Sequence, residues 1–191
     1  NEVTELNARS SVMDLVSGYG FARQGYPVRG LFSIPFVGLS SNGIPMYNIN
    51  GKITSTDIDF QTRDNIDYLK YEGPTDPTIT GSFGNIFTYK AFKLNVFITY
   101  SFGNVVRLNP CFSYQYSDLS SMPREFKNRW TVPGDEKRTN IPAIISKRQY
   151  EDNKDLMYAY NAYNYSTERI AKGDFIRMKA VSYTHLRAHE T

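Results

Sequence analysis

Phe92 to Phe102 reads FKLNVFITYSF. Phe92, Leu94, Val96, Ile98, Tyr100 and Phe102 take every second position, and Lys93, Asn95, Phe97, Thr99 and Ser101 lie between them. Successive side chains of a strand point to opposite faces, so the spacing predicts a strand with one apolar and one mostly polar face. Such a strand fits a half-buried sheet in water and equally the wall of a membrane barrel. Its length favours the barrel. The run to Gly103 spans roughly 40 Å, or about 30 Å when tilted, against an outer-membrane apolar band of about 25 Å. Strands of water-soluble domains are more often about 5–6 residues long.

Composition narrows the function classes. Tyr and Phe number 15 and 12 against one Trp, so aromatics are plentiful for an interface or a ligand surface. Mean hydropathy is −0.47, and the sequence has no apolar run long enough for a transmembrane helix. A barrel is unaffected by that test, because alternating strands average to a water-soluble value. Net charge is only +3 and the cations are scattered, so no nucleic-acid partner is expected. One cysteine, Cys111, permits no internal disulfide. The chain opens at Asn1 without Met and reads as a piece of something longer.

The end, SYTHLRAHET at 182–191, resembles translated sequencing-adapter read-through, and residues 181–191 are set aside from the fold as an artefact tail. Both histidines, His185 and His189, lie in it. Their i, i+4 spacing has the form of a zinc pair, but the artefact reading takes precedence. Residues 1–180 then contain no histidine, which removes the commonest general base and the triads built on it. Gly18-Tyr19-Gly20 lacks the third glycine of a phosphate-binding loop. No enzyme activity, cofactor or metal is expected.

Outward from the opening stretch, residues 81–92 (GSFGNIFTYKAF) read as a preceding strand with a tight turn near Lys90. Alternation resumes at Val106 through Leu108, Phe112, Tyr114 and Tyr116, and Gly103-Asn104 is either a hairpin turn or a break in one very long strand. Residues 1–6 could close a strand. Residues 29–39 hold Pro35, which demotes them to an edge or irregular strand. Asn48-Ile49-Asn50-Gly51 predicts a hairpin tip. Glu72-Gly73-Pro74-Thr75-Asp76-Pro77 is a cluster of breakers. Residues 117–172 show no sustained period and read as a long loop region. Residues 174–181 return to strand. The expected fold class is all-β, a partial antiparallel transmembrane β-barrel with long extracellular loops.

Several segments together resemble the C-terminal barrel part of the SusC/RagA family of TonB-linked outer-membrane transporters of Bacteroidota. Residues 27–47 (PVRGLFSIPFVGLSSNGIPMY) are similar to its Pro–aromatic–Gly-Leu phrase with a Gly-x-Pro turn. Gly73, Pro77, Gly81, Asn85, Phe87, Tyr89, Lys90, Phe92, Leu94, Tyr100, Ser101 and Gly103 match a second phrase. Arg129-Trp130, Pro133-Gly134-Asp135 and Thr139-Asn140-Ile141-Pro142 resemble its R-W-x-x-P-G-D-x-T-x-I-P loop, with Glu136-Lys137-Arg138 between Asp135 and Thr139 making it about two residues longer. Phe175-Ile176-Arg177-Met178-Lys179 resembles its F-x-R-L-K strand. The resemblance implies a barrel of about 22 strands in the bacterial outer membrane. It also implies a plug, TonB coupling through an N-terminal part this chain lacks, a SusD-like surface lipoprotein partner, and uptake of glycan or peptide.

Within that frame Phe92, Leu94, Val96, Ile98, Tyr100 and Phe102 face outer-membrane lipid, while Lys93, Asn95, Thr99 and Ser101 line the lumen. Tyr158, Tyr160, Asn161, Tyr163, Asn164 and Tyr165 could stack on sugar rings and bond their hydroxyls, dock the lipoprotein, or pack an ordered loop. Arg129 and Trp130 could anchor a ligand or pin their own turn. Asp57 and Asp59 have the oxygens calcium takes, yet read as solvated acids. Two other classes stay open: a water-soluble or surface β-rich glycan-binding module, and a secreted glycosidase fragment, whose chemistry needs only two converging carboxylates.

Overall fold

The computed structural model describes residues 2–18, 22–112 and 121–185. Tyr19, Gly20, Tyr114, Tyr116 and His189 lie outside them. Helix α1, Val12–Ser17, starts where Ser11 and Asp14 cap each other's backbone N–H at 3.2 and 2.9 Å. Gly18 ends it at φ 72°. Pro35 has no N–H to donate, and it divides the 29–39 segment into β1, Gly30–Ser33, and β2, Phe36–Leu39. The hairpin of β3, Pro45–Ile49, and β4, Lys52–Thr54, turns through Asn50 and Gly51 at φ 52° and 85°, as Asn-Gly predicts. Strand β5, Lys70–Pro74, pairs antiparallel with β1 and takes in half of the breaker cluster. Residues 2–6 form no strand; Val3 exchanges two backbone bonds with Gly25 and Tyr26 instead.

Two long strands follow, β6, Ile79–Tyr89, and β7, Phe92–Phe102, joined by the two-residue turn Lys90-Ala91 with Lys90 at φ 50°. Gly103-Asn104 proves to be a kink in one long strand. Beyond it β8, Val105–Arg107, continues the line of β7. Helices α2, Lys147–Asp152, and α3, Leu156–Asn164, come next, then β9, Ile170–Lys172, and β10, Phe175–His185. β8 pairs with β9 and β7 with β10, both antiparallel, so the two ladders form one ribbon. At the joint Gly173 N–H donates to Asn104 O at 2.8 Å and Gly103 N–H to Asp174 Oδ1 at 2.7 Å. β10 runs four residues past Val181, so residues 182–185, set aside as tail, pair with 92–95 of β7.

The regular structure among the described residues is thus mostly antiparallel sheet, with three short α-helices. The sheet β10-β7-β6 is an open piece whose two outer edges are unpaired among the described residues. At its hairpin end, among the described residues, there is only the Lys90-Ala91 turn. At the other end stands a body made by the described residues before β6 and between β7 and β10. One core cluster there joins α1 to Phe32, Ile34, Tyr47 and Phe60; another joins Phe112, Phe126, Tyr160 and Tyr163. Tyr47 is fully buried and donates from its hydroxyl to Ala159 O at 2.7 Å, tying β3 to α3; burial pushes its phenol pKa far up.

The long-loop reading of 117–172 is corrected, since this span holds α2, α3, β9 and three short 3-10 turns. Leu156, Ala159, Tyr160, Tyr163 and Asn164 recur at helical spacing and are all buried. Tyr and Asn are poor helix formers, and the helix is only nine residues long, so packing rather than propensity holds it. The same span carries a partly buried ion pair, in which Arg169 donates to both Glu125 oxygens at 2.8 Å and also to Asn109 O at 2.7 Å.

Candidate functional site

The first candidate is the long sheet. Each of its three strands is 11 residues, the length a tilted strand needs to cross a hydrocarbon core. Residues opposite each other in a ladder share a face. The register therefore puts Ile79, Phe83, Phe87 and Tyr89 beside Phe102, Ile98, Leu94 and Phe92. On the other side of β7, Ile176, Met178, Val181 and Tyr183 face Tyr100, Ile98, Val96 and Leu94. The six β7 residues read from the sequence as one apolar face are its centre line. All four of those β6 residues and all four β10 residues are more than half exposed.

Aromatics gather toward both ends of this face. Phe92 stacks on Tyr183 at 6.2 Å near the hairpin, and Tyr100 stacks on Phe102 at 5.7 Å at the far end. Tyr100 lies across Gly81, where any Cβ would collide with its hydroxyl. A bulge between Met178 and Ala180 keeps the phase. One extra residue in β10 puts Val181 and Tyr183 on the apolar side after Ile176 and Met178; strict alternation would turn them inward.

The opposite face is mainly polar, with Ile86, Phe97 and Phe175 as its large apolar residues. Thr80, Ser82 and Thr88 of β6 lie beside Ser101, Thr99 and Lys93 of β7, and Arg177 of β10 lies beside Thr99. Such a sheet can separate a hydrocarbon phase from an aqueous one. In water, by contrast, it would leave far more contiguous apolar surface bare than folded chains usually carry.

The second candidate is a cleft of about 1160 Å³ between the 56–61 loop, Pro110 and Phe112, and α3. Tyr158, Tyr160, Asn161, Asn164 and Tyr165 line it, five of the six residues singled out in 158–165; Tyr163, Arg129 and Trp130 do not. Helical geometry then sorts the five. Tyr160 and Asn164 are 2% and 4% exposed, which leaves no ring face or amide for a ligand to cover. Tyr163, at 3%, is packed edge-on against Phe36 and Phe112, and burial pushes its phenol pKa up. Only Tyr158 is well exposed; Asn161 and Tyr165 are half-buried.

Asn164 has a structural task. Its Oδ1 accepts from Cys111 N–H at 2.9 Å and Phe112 N–H at 3.1 Å, and its Nδ2 donates to Phe112 O at 2.9 Å. Tyr165 stacks edge-on against Phe60 and lies under the Arg107 guanidinium, 5.5 Å from its ring centre. Arg107 donates to Phe32 O at 2.6 Å, and desolvation draws its pKa down to about 10. Sequence reading missed the other side of the cleft: Phe60 and Gln61 of the loop and Asp155 and Met157 at the start of α3. The alternation Asp57-x-Asp59-x-Gln61 was its signal. Asp57 is held by Lys52 Nζ at 2.6 Å, which keeps its carboxyl below the usual range.

Arg129 and Trp130 belong to a separate turn. Arg129 donates to Phe126 O at 3.1 Å. Trp130 donates from Nε1 to Glu136 Oε2 at 3.2 Å and from its backbone N–H to Ile141 O at 2.9 Å. Asp135 accepts from the Thr131 and Val132 N–H groups, which hold its carboxyl below the usual range. Gly43, at φ 73°, lies under the Trp130 ring, where a Cβ would sit 2.5 Å from it. Gly43→Ala should therefore cost about 2 kcal/mol, combining left-handed strain with overpacking. Thermal unfolding, with Trp130 fluorescence as the probe of the turn, checks it.

No protein-family model matches this chain, and no curated protein matches it. Solved structures of the RagAB peptide importer do. In its closed-closed state the match covers 86% of this chain and 17% of that chain, at TM-score 0.55 and 19% identity. In its open-open state it covers 81% and 15%, at TM-score 0.52 and 20% identity. The chain thus spans less than a fifth of the chains it matches. At this identity the likeness is one of fold.

Proposed function

We propose that this chain is a wall-and-surface segment of an outer-membrane nutrient importer of the SusC/RagA kind, coupled to TonB and worked with a SusD-like surface lipoprotein. The observation that carries it is the sheet β10-β7-β6, with 11-residue strands, one face that is apolar apart from Asn85 and one mainly polar face. In hydrocarbon every backbone polar group needs a partner, so the two open edges call for further strands on each side until the barrel closes. Barrels of this kind have short periplasmic turns and long extracellular loops. The Lys90-Ala91 turn is then periplasmic, and the body with its cleft stands at the outer mouth. The fold likeness to a peptide importer supports the reading, and peptide or oligosaccharide is the cargo class of the proposal. The polar face lines the lumen, with hydroxyl and amide groups that let hydrated cargo pass without strong retention.

Single cysteines at Val96 and Asn95 test it in the membrane-inserted protein that carries this chain. A lipid-soluble maleimide should label Val96→Cys, and a membrane-impermeant one should label only Asn95→Cys. The native Cys111 gives little background, being 6% exposed with its thiol pushed up to about 11 by burial. Equal labelling of both positions by the impermeant reagent would overturn the reading.

A further inference from the structure

We infer that the cleft between the 56–61 loop and α3 is a subsite for a lysine or arginine side chain of an extended peptide; the peptide's role as cargo rests on the importer reading above. The cleft is large enough for several residues, since pockets for small ligands run about 300–1000 Å³ and this one is about 1160 Å³. Its floor is apolar and aromatic, from Phe60, Phe112 and Tyr165. Three of the residues lining it are acidic, Asp57, Asp59 and Asp155, and none of the described lining residues is a lysine or arginine.

The three carboxylates are not equivalent. Asp57 is neutralised by Lys52, so the charge offered to a ligand comes from Asp59 and Asp155. Asp59 is exposed, and one of its oxygens accepts from Gln61 N–H at 2.8 Å. Asp155 is exposed at the head of α3 yet makes no capping bond to that helix. The exposed Tyr158 ring adds a face over which a cation is attracted. An apolar floor beneath two carboxylates and a tyrosine ring matches a long aliphatic stem ending in an ammonium or guanidinium, with apolar neighbours along the peptide. A neutral sugar would use the ring but not the charge. An acidic peptide would be repelled.

The test is binding by the membrane-inserted protein of three labelled peptides, Gly-Leu-Lys-Leu-Gly and its Gln and Glu counterparts, with maltohexaose as competitor. The Lys peptide should bind about tenfold tighter than the Gln peptide at low salt, and the gap should narrow at high salt. D59N/D155N, which keeps side-chain size, should cut that ratio below about threefold. Equal affinity for the three peptides, a ratio unchanged in D59N/D155N, or full displacement by maltohexaose would each overturn the subsite. Failure here is separable from failure of the importer reading. If Val96→Cys and Asn95→Cys label as proposed while the peptides bind equally, only the subsite falls. If labelling fails while charge-selective binding persists, the wall falls and the cleft stands.

Discussion

Asn164→Ala should lower the unfolding free energy of the body by about 3–5 kcal/mol. Each buried backbone group left without a partner costs about 1–3 kcal/mol, and this one side chain serves three: Cys111 N–H, Phe112 N–H and Phe112 O. Water entering the gap recovers part of the loss. The Asn164 amide thus acts as a short piece of strand laid along residues 111–112, and through them it holds Phe112 against Phe126, Tyr160 and Tyr163. Asn164→Asp keeps both accepted bonds but sets a carboxylate against Phe112 O, so it should fall between Ala and the parent. Denaturant titration with tyrosine fluorescence, run beside limited proteolysis of the 105–112 segment, reads both effects. A loss under about 1 kcal/mol for Asn164→Ala would show that residues 111–112 are held by other contacts.

That residue also shows where sequence reading stops. The wall was legible because a period of two is local: from Phe92 to Phe102 the alternation can be counted without knowing any partner strand. So was the Asn50-Gly51 turn, which needs only a positive φ at consecutive residues. Helix α3 was not legible. Its pattern is short, its three Tyr and two Asn are poor helix formers, and its buried face is recognised only once the 105–112 segment and β3 lie against it. Asn164 and Tyr160 then look like ligand-binding groups in sequence, while in the fold their polar atoms or rings are taken up inside. Asp59 and Asp155 are far apart in sequence and meet at one cleft only through the tertiary path. The bulge in β10 was hidden for another reason. One inserted residue shows only in the pairing with β7, and because the 181–191 tail is set aside for its resemblance to adapter read-through, the expected strand ends at Val181 while the pairing carries on to His185.

Val96→Arg should destabilise the inserted wall by about 2–4 kcal/mol, the cost of a cation facing lipid at mid-depth. Val96 sits near the middle of β7, between Asn85 on one neighbouring strand and Val181 on the other, with Leu94 and Ile98 beside it on the same face. An arginine there can neither reach a head group nor turn to the lumen without pulling the strand out of register. Two controls make the argument specific. Asn95→Arg, one residue away on the polar face, should change stability by about 0.5 kcal/mol at most. Phe102→Arg, at the far end of the same apolar face, should cost about 0–1 kcal/mol for its charge, because the penalty fades near the interface. Unfolding titrations of the vesicle-inserted protein, with gel mobility before and after heating to count the folded fraction, give the three values. A water-exposed sheet predicts no dependence on depth and little difference between positions 95 and 96. A lipid-facing wall predicts a large cost at 96 alone, and the contrast between neighbouring residues separates membrane burial from any general intolerance of arginine in β7.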